Sequence, residues 1–340
     1  VPDADHAARR PERPDDERPD DERPNGERPD DEHPDDEHAV PPAARGVRAW
    51  GLNLAMFLAT VASTFYVGAE LVSDAGHPLR GWVYAVPLLA ILVTHELGHW
   101  LFARRHQVDA SLPFFLPLPL PPLGTLGAVI SMRGRIRTRD ALLDIGASGP
   151  LAGLAVAIPV LLIGLKLSKV EPIPPHGLDE GQSLLYLALK RVVLGKIPDG
   201  YDVFLHPTAF AGWAGLFMTM LNLLPIGQLD GGHVAYAIFG PRQDAYSRRV
   251  HDGLLVVAAS VGAFYATLAL RAHAPWSDVG AALFEGKNWI VWWVLLFLLT
   301  RRGPHPPTEN ATLSRRRAVV AWATLLLFVL LFMPVPFRAH

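Results

Sequence analysis

The chain has no cysteine among its 340 residues. That excludes disulfides and every thiolate metal site, so any metal must be held by His, Asp or Glu. Net charge is almost absent as well, at −2, but the sum hides two opposed parts. Residues 11–38 hold 14 acids and 4 arginines, a net of −10, which leaves +8 for the remainder. The first residues are polar and acidic and do not read as a signal peptide. From Pro14 to His38 a five-residue unit recurs, Pro-Asp-Asp-Glu-Arg at first and Pro-Asp-Asp-Glu-His at the end. Nothing in it can form a core, and the recurring proline prevents a continuous helix. Residues 1–44 are therefore expected to be a disordered acidic tail. A solvated extension is favoured over an electrostatic or metal-scavenging arm built on His33 and His38.

What the chain has in abundance is apolar sequence: 50% of residues are hydrophobic and the mean hydropathy is +0.21. The excess is gathered into seven segments, about 49–72, 82–104, 141–167, 208–225, 252–271, 287–300 and 317–336. Segments of roughly twenty apolar residues suit membrane helices, and the sixth is short for a full crossing. Five arginine clusters punctuate them: Arg45 and Arg48; Arg104 and Arg105; Arg133 to Arg139; Arg242, Arg248 and Arg249; and Arg301, Arg302 with Arg315 to Arg317. Seven crossings with the N-terminus in the cytoplasm and the C-terminus outside put all five clusters on one side.

Between the second and third segments, Pro113 to Pro122 is apolar yet proline-rich, and Gly124 to Ser131 reads as a short extended piece. Such backbone survives at membrane depth only inside protein or beside a cavity, which predicts a re-entrant hairpin rather than a loop lying flat on the membrane. The stretch Glu180 to Leu194 predicts an amphipathic helix on the outer surface. The expected fold is an all-α polytopic membrane protein with about six to seven transmembrane helices and a re-entrant extended hairpin. Its membrane domain would be 45–340.

The second segment contains His95-Glu96-Leu97-Gly98-His99. Residues four apart share one helix face, so both histidines can close on one metal ion, and Glu96 beside them can accept a proton from water. Two imidazoles and a carboxylate in hydrocarbon are costly unless a metal or internal water compensates, which argues against an idle buried cluster. A catalytic zinc site usually has three protein ligands. The best third is Asp230 in Asn222-Leu223-Leu224-Pro225-Ile226-Gly227-Gln228-Leu229-Asp230-Gly231-Gly232, where proline and glycine break the helix and let backbone approach an ion. A plain helix cap is the weaker reading of Asp230. The charge-based topology sets His99 and Asp230 at similar depth. For Asn222 an ordinary interhelical hydrogen bond stays open. His233 suits packing better than service as a fourth ligand.

His95-Glu96-x-x-His99 and the later Asn222-x-x-Pro225-x-x-x-Leu229-Asp230-Gly231 together resemble the paired motifs of the site-2 protease family, zinc intramembrane metalloproteases; the shared core here would run from about 80 to 240. Gly124 to Ala128 and Gly149 to Gly153 also resemble family features. The resemblance implies one zinc ion on His95, His99 and Asp230, with Glu96 as general base and Asn222 positioning the substrate or its oxyanion. It further implies cleavage within or near transmembrane segments of membrane proteins in regulated intramembrane proteolysis. No PDZ-type insertion and no CBS pair fit, so the chain is similar to a minimal member. An extended edge at Gly127 to Ser131, including Val129, is expected to hold unwound substrate by strand addition.

Two competitors remain. Gly146-Ala147-Ser148-Gly149 resembles the serine motif of rhomboid proteases, but no later helix supplies the accompanying histidine pattern, and the small-residue spacing suits helix packing. A membrane metal carrier or sensor would use the same ligands without hydrolysis, yet it has no need of Glu96. The expected setting is a bacterial cytoplasmic membrane, in preference to an organellar one, with the site toward the cytoplasm. The expected partners are a transmembrane substrate and lipid, with no nucleic acid.

Overall fold

Hydrocarbon favours helices because they satisfy their backbone groups internally, and the long apolar runs fold accordingly. In the computed structural model, which describes residues 42–71, 78–132, 136–174, 177–300, 308 and 312–339, the first three helices are α1 (Pro42–Leu71), α2 (Trp82–Arg105) and α3 (Arg139–Leu167). The acidic repeats lie outside the described residues, as do Arg133, Arg135, Arg301 and Arg302. Five helical stretches are long and apolar enough to cross a bilayer: Trp50–Leu71, Trp82–Arg105, Arg139–Leu167, Asp230–Arg271 and Trp276–Leu298. The chain is a helical, multi-span membrane protein.

Three of the apolar segments take forms that differ from simple spans. The fourth is broken. α5 (Pro207–Asn222) ends at Leu223, and α6 (Asp230–Phe239) begins seven residues later. Both run antiparallel along α3. A Cβ added at Gly164, Gly212 or Gly215 would press on Ala209, Leu161 or Ala157 respectively, which sets α5 against the C-terminal half of α3. Leu143 and Ala147 of α3 pack with Val234 and Ala237, which sets α6 against the N-terminal half. The interruption therefore falls opposite the middle of α3. A short turn, Gly240 to Arg242, leads on to α7 (Gln243–Arg271). The sixth segment, α9 (Lys287–Thr300), is extended by a 3₁₀ turn and α8 (Trp276–Leu283), so that 23 residues are available. The seventh is α10 (Arg315–Leu331), 17 residues long.

Between α2 and α3 two strands, β1 (Phe114–Pro117) and β2 (Thr125–Val129), pair antiparallel with Phe114 opposite Val129. The proline-rich backbone around them is satisfied by side chains of the neighbouring helices. Asn53 of α1 donates to the carbonyls of Leu112 and Pro113 at 3.1 and 2.9 Å. Ser63 donates to Gly124 O at 2.6 Å and Tyr84 of α2 to Leu123 O at 2.7 Å. Asn53 and Ser63 are ten residues apart, so the hairpin follows α1 for about 15 Å.

The arginine-bearing ends converge. Arg317 at the start of α10 forms ion pairs with Asp140 (2.9 Å) and Asp144 (2.7 Å) of α3, and His106 beyond α2 lies 2.8 Å from the same Asp144. The opposite end carries two small antiparallel pairs, β3 (Lys169–Pro172) with β5 (Tyr201–Phe204) and β4 (Leu178–Glu180) with β6 (Phe337–Ala339). Here one expectation needs correction. The predicted helix over 180–194 begins only at Leu184, as α4 (Leu184–Leu194), capped by Ser183; Glu180 belongs to β4. Its inward face is the polar one. Tyr186 and Lys190 are buried on Glu180, whereas Leu184 and Leu187 are exposed. Burial and the adjacent Glu180 push the Tyr186 phenol well above its usual range, keeping it a hydrogen-bond donor.

Candidate metal centre

α2 runs apolar on every side, so the two histidines and Glu96 are held by packing and not by solvent. All three are buried. The four-residue spacing puts His95 and His99 on one face, and their Nε2 atoms lie 3.1 Å apart. Asp230, the first residue of α6, brings Oδ2 to 3.2 Å from each. Among the described residues these three form the one group of His and carboxylate donors that can share an ion. The donor set fits zinc. For ligand bonds of 2.0–2.1 Å, the edge of a coordination tetrahedron is about 3.3 Å, close to the observed triangle.

The support around the donors explains why they meet. His99 Nδ1 lies 2.8 Å from the carbonyl of Ile145 on α3; donating there leaves Nε2 with a free lone pair pointing at the centre. The approach of α2 to α3 depends on missing side chains. A Cβ at Gly149 would overlap the His99 ring, one at Gly153 would press on His95 (3.2 Å), and one at Gly98 would meet Ser148 O at 2.6 Å. Gly146 does the same for α6, where a Cβ would meet His233 Cβ at 2.7 Å and Asp230 O at 3.2 Å. The sequence 146–153 is thus a seat for both helices that carry the three donor side chains. Ser148 donates to Ile145 O at 2.8 Å, one turn back on its own helix, which is a packing role and not that of a nucleophile.

Asn222 comes to the same point from the last residue of α5, its Nδ2 3.2 Å from His95 Nε2. Glu96 lies within electrostatic reach of His95, His99 and Asp230. The loop from Leu223 to Leu229 that joins α5 to α6 is braced from α7. Ser247 Oγ accepts from Gly227 N at 2.7 Å, and Gln243 donates to Pro225 O at 3.1 Å. Gly227 has φ +52°, a left-handed conformation suited to glycine. His233 sits one turn into α6 with its Cβ against Gly146, a packing position outside the three-donor group.

Gly127 and Val129 lie on β2, which packs beside α2. Gly127 has φ +97° and open space where a side chain would be; Val129 is half exposed. Among the described residues β2 pairs with β1 alone, so its other edge is unpaired. The Ile145 carbonyl, Gln243 and Ser247 were not foreseeable as parts of the site. None belongs to a motif, and each acts through a contact distant in sequence.

The model of peptidase family M50 matches residues 83–264, a range containing every donor described above. Among curated proteins the chain is similar to probable zinc metalloprotease EGY1, chloroplastic, of Arabidopsis thaliana, 32% identical over 272 residues covering 77% of this chain and 43% of that protein. It is also similar to the EGY2 protein of the same description from Oryza sativa subsp. indica, 29% identical over 270 residues covering 76% and 44% respectively. The chain thus spans less than half the length of the curated relatives it matches. No solved structure matches it.

Proposed function

Because the chain belongs to peptidase family M50, we propose that it is a zinc metalloprotease that cuts peptide bonds within or near transmembrane segments of other membrane proteins. The observation that carries this reading is the meeting of three donors from α2 and α6, with Glu96 beside them, at the break in a membrane helix. The protease domain proposed runs from 45 to 340, its core from about 80 to 240, with the acidic repeats outside it.

His95, His99 and Asp230 hold the ion, which when bound supplies a Lewis acid for the scissile carbonyl and lowers the pKa of water toward neutrality. Glu96 accepts the proton of the attacking water and returns it to the departing amine nitrogen. Asn222, with its amide at the edge of the donor triangle, donates a hydrogen bond to the oxygen on which negative charge develops. A transmembrane substrate is internally hydrogen-bonded and must unwind to be cut. The free edge of β2, from Gly127 through Val129, holds the unwound strand by main-chain pairing. The site faces the arginine-bearing side, which in a bacterial cytoplasmic membrane is the cytoplasm.

The test is Glu96→Gln in the full chain, compared with its parent for zinc content and for shortening of transmembrane polypeptides in membrane fractions. Loss of a general base is expected to slow cleavage by about 10²–10⁴-fold with zinc retained. Chelation should stop the parent and added zinc restore it. Persistent metal transport with no cleavage by the parent would instead favour a carrier.

A further inference from the structure

Two compartments adjoin, the first at the end of the molecule away from the metal donors and the second running inward from it. The outer is a cavity of about 690 Å³ whose wall includes side chains of both charges, Glu180 and Asp202 against Lys190, Arg191 and Arg338. The inner is an apolar groove of about 660 Å³ between α4, α7 and α10, lined among others by Leu187, Leu254, Val257, Phe328 and Val329. Gln182, Leu187 and Pro334 border both.

α7 gives the scale. Tyr265 borders the cavity, whereas Val257, Leu254 and Val250 border the groove. At 1.5 Å per residue the groove lies about 12–22 Å farther along the helix. One leaflet of the hydrocarbon core is about 15 Å thick. A charged chamber thus stands above an apolar channel about one leaflet deep.

The chamber is incompletely satisfied from within. Lys190, buried, lies 3.3 Å from Glu180 and 3.6 Å from Asp202. Gln182 gives its amide N–H to Glu180, yet Gln182 Oε1 is buried without a partner, and so is Arg338 Nε. What an occupant meets is the charged lining, where an anionic group suits Arg338 and Arg191 and a cationic group suits Glu180 and Asp202. The guanidinium of Arg338 lies 4.4 Å over the Tyr265 ring, which fixes it at the chamber wall. A soluble zwitterion has no use for the groove, and a bare hydrocarbon has none for the chamber.

We propose that the two compartments together hold one zwitterionic aminophospholipid, with its phosphate toward Arg338 and Arg191, its ammonium toward Glu180 and Asp202, and an acyl chain in the groove. The proposal stands independently of proteolysis. It has a structural consequence for the metal centre, because the groove also reaches Leu224, whose carbonyl packs closely against Gly231 beside Asp230. The acyl chain lies against the loop that presents Asp230.

The full chain purified in mild detergent is offered phosphatidylethanolamine or phosphatidylglycerol with identical acyl chains, and retained lipid is counted by native mass spectrometry. One phosphatidylethanolamine per chain is expected, preferred about tenfold. Arg338→Gln, which weakens the chamber, and Val257→Trp, which fills the groove, should each lower retention about fivefold or more. Phosphatidylethanolamine with a photoreactive acyl chain should label residues 250–257 of the unaltered chain, a result that needs no variant to fold. Equal retention of phosphatidylglycerol, indifference to both substitutions, competition by soluble phosphoethanolamine as effective as by the lipid, or labelling spread evenly over the lipid-facing helices would each overturn the proposal. So would displacement of a transmembrane peptide, and not of lipid, by Val257→Trp.

Discussion

Two of the irregular stretches between the helices are held by different means. The hairpin between α2 and α3 is fastened by Asn53 and Ser63 of α1 and Tyr84 of α2, whose side chains donate to its carbonyls. The loop from Leu223 to Leu229 is fastened by Gln243 and Ser247 of α7. In hydrocarbon an unpaired backbone group has no water to fall back on, so each stretch needs polar side chains from a neighbouring span. The two sets of supports differ in what they position. The hairpin supports fix the proposed substrate edge, and the loop supports fix the approach of Asp230 to the histidines.

The largest effect is expected at the seat common to α2 and α6. Gly149→Ala places a methyl group on the His99 ring, and a rigid overlap of this kind is expected to cost about 1–3 kcal/mol or more and to abolish stoichiometric zinc, read by metal analysis of the folded protein. Retention of a full zinc complement would show that α3 leaves room for a methyl group beside the His99 ring. Next, Ser247→Ala with Gln243→Leu removes the loop supports. Loss of outer contacts that orient a ligand typically lowers metal affinity about 10–100-fold, so zinc competition should register the change before thermal melting does. The smallest effect on the metal is expected from Ser63→Ala with Tyr84→Phe. Tyr84→Phe leaves the Leu123 carbonyl unpaired at a cost of about 1–3 kcal/mol, whereas Gly124 O keeps its bond from Leu118 N–H when Ser63 is replaced; zinc affinity should stay at the parent value, and KM for a membrane substrate should rise. Val129→Pro sharpens the same contrast by removing one strand N–H, with cleavage impaired and zinc unchanged. If both sets of supports altered zinc affinity alike, the division of labour would fail.

Much of the centre was legible because its signals are local. His95, Glu96 and His99 lie within two helical turns, and helical periodicity alone puts both imidazoles on one face. Pro225 and Gly227 announced that a helix breaks before Asp230, whereas Gly231 lies inside α6, where its missing side chain admits the Leu223 carbonyl. The broken fourth span was less legible. Residues 208–225 read as one apolar segment, and only the packing of α5 and α6 along α3 reveals that the break lies opposite Gly146 to Gly153. The start of α4 was placed too early: Glu180, read as helical, pairs in β4 with Phe337 and accepts from buried Lys190 and Tyr186, contacts that only folding supplies.

The order of residues along the chain by itself determined the donor types, the absence of thiolate ligands, the helical character of the long apolar runs and the pairing of His95 with His99. Tertiary structure alone decided that Asp230 reaches them, because α2 and α6 meet only where the glycines of α3 leave room for both. It also decided which buried polar groups serve the irregular backbone, since Ser63, Tyr84, Gln243 and Ser247 acquire their meaning from carbonyls and amides brought near by folding. Spacing along one helix is fixed by covalent geometry, whereas the meeting of separate helices is fixed by complementary volume.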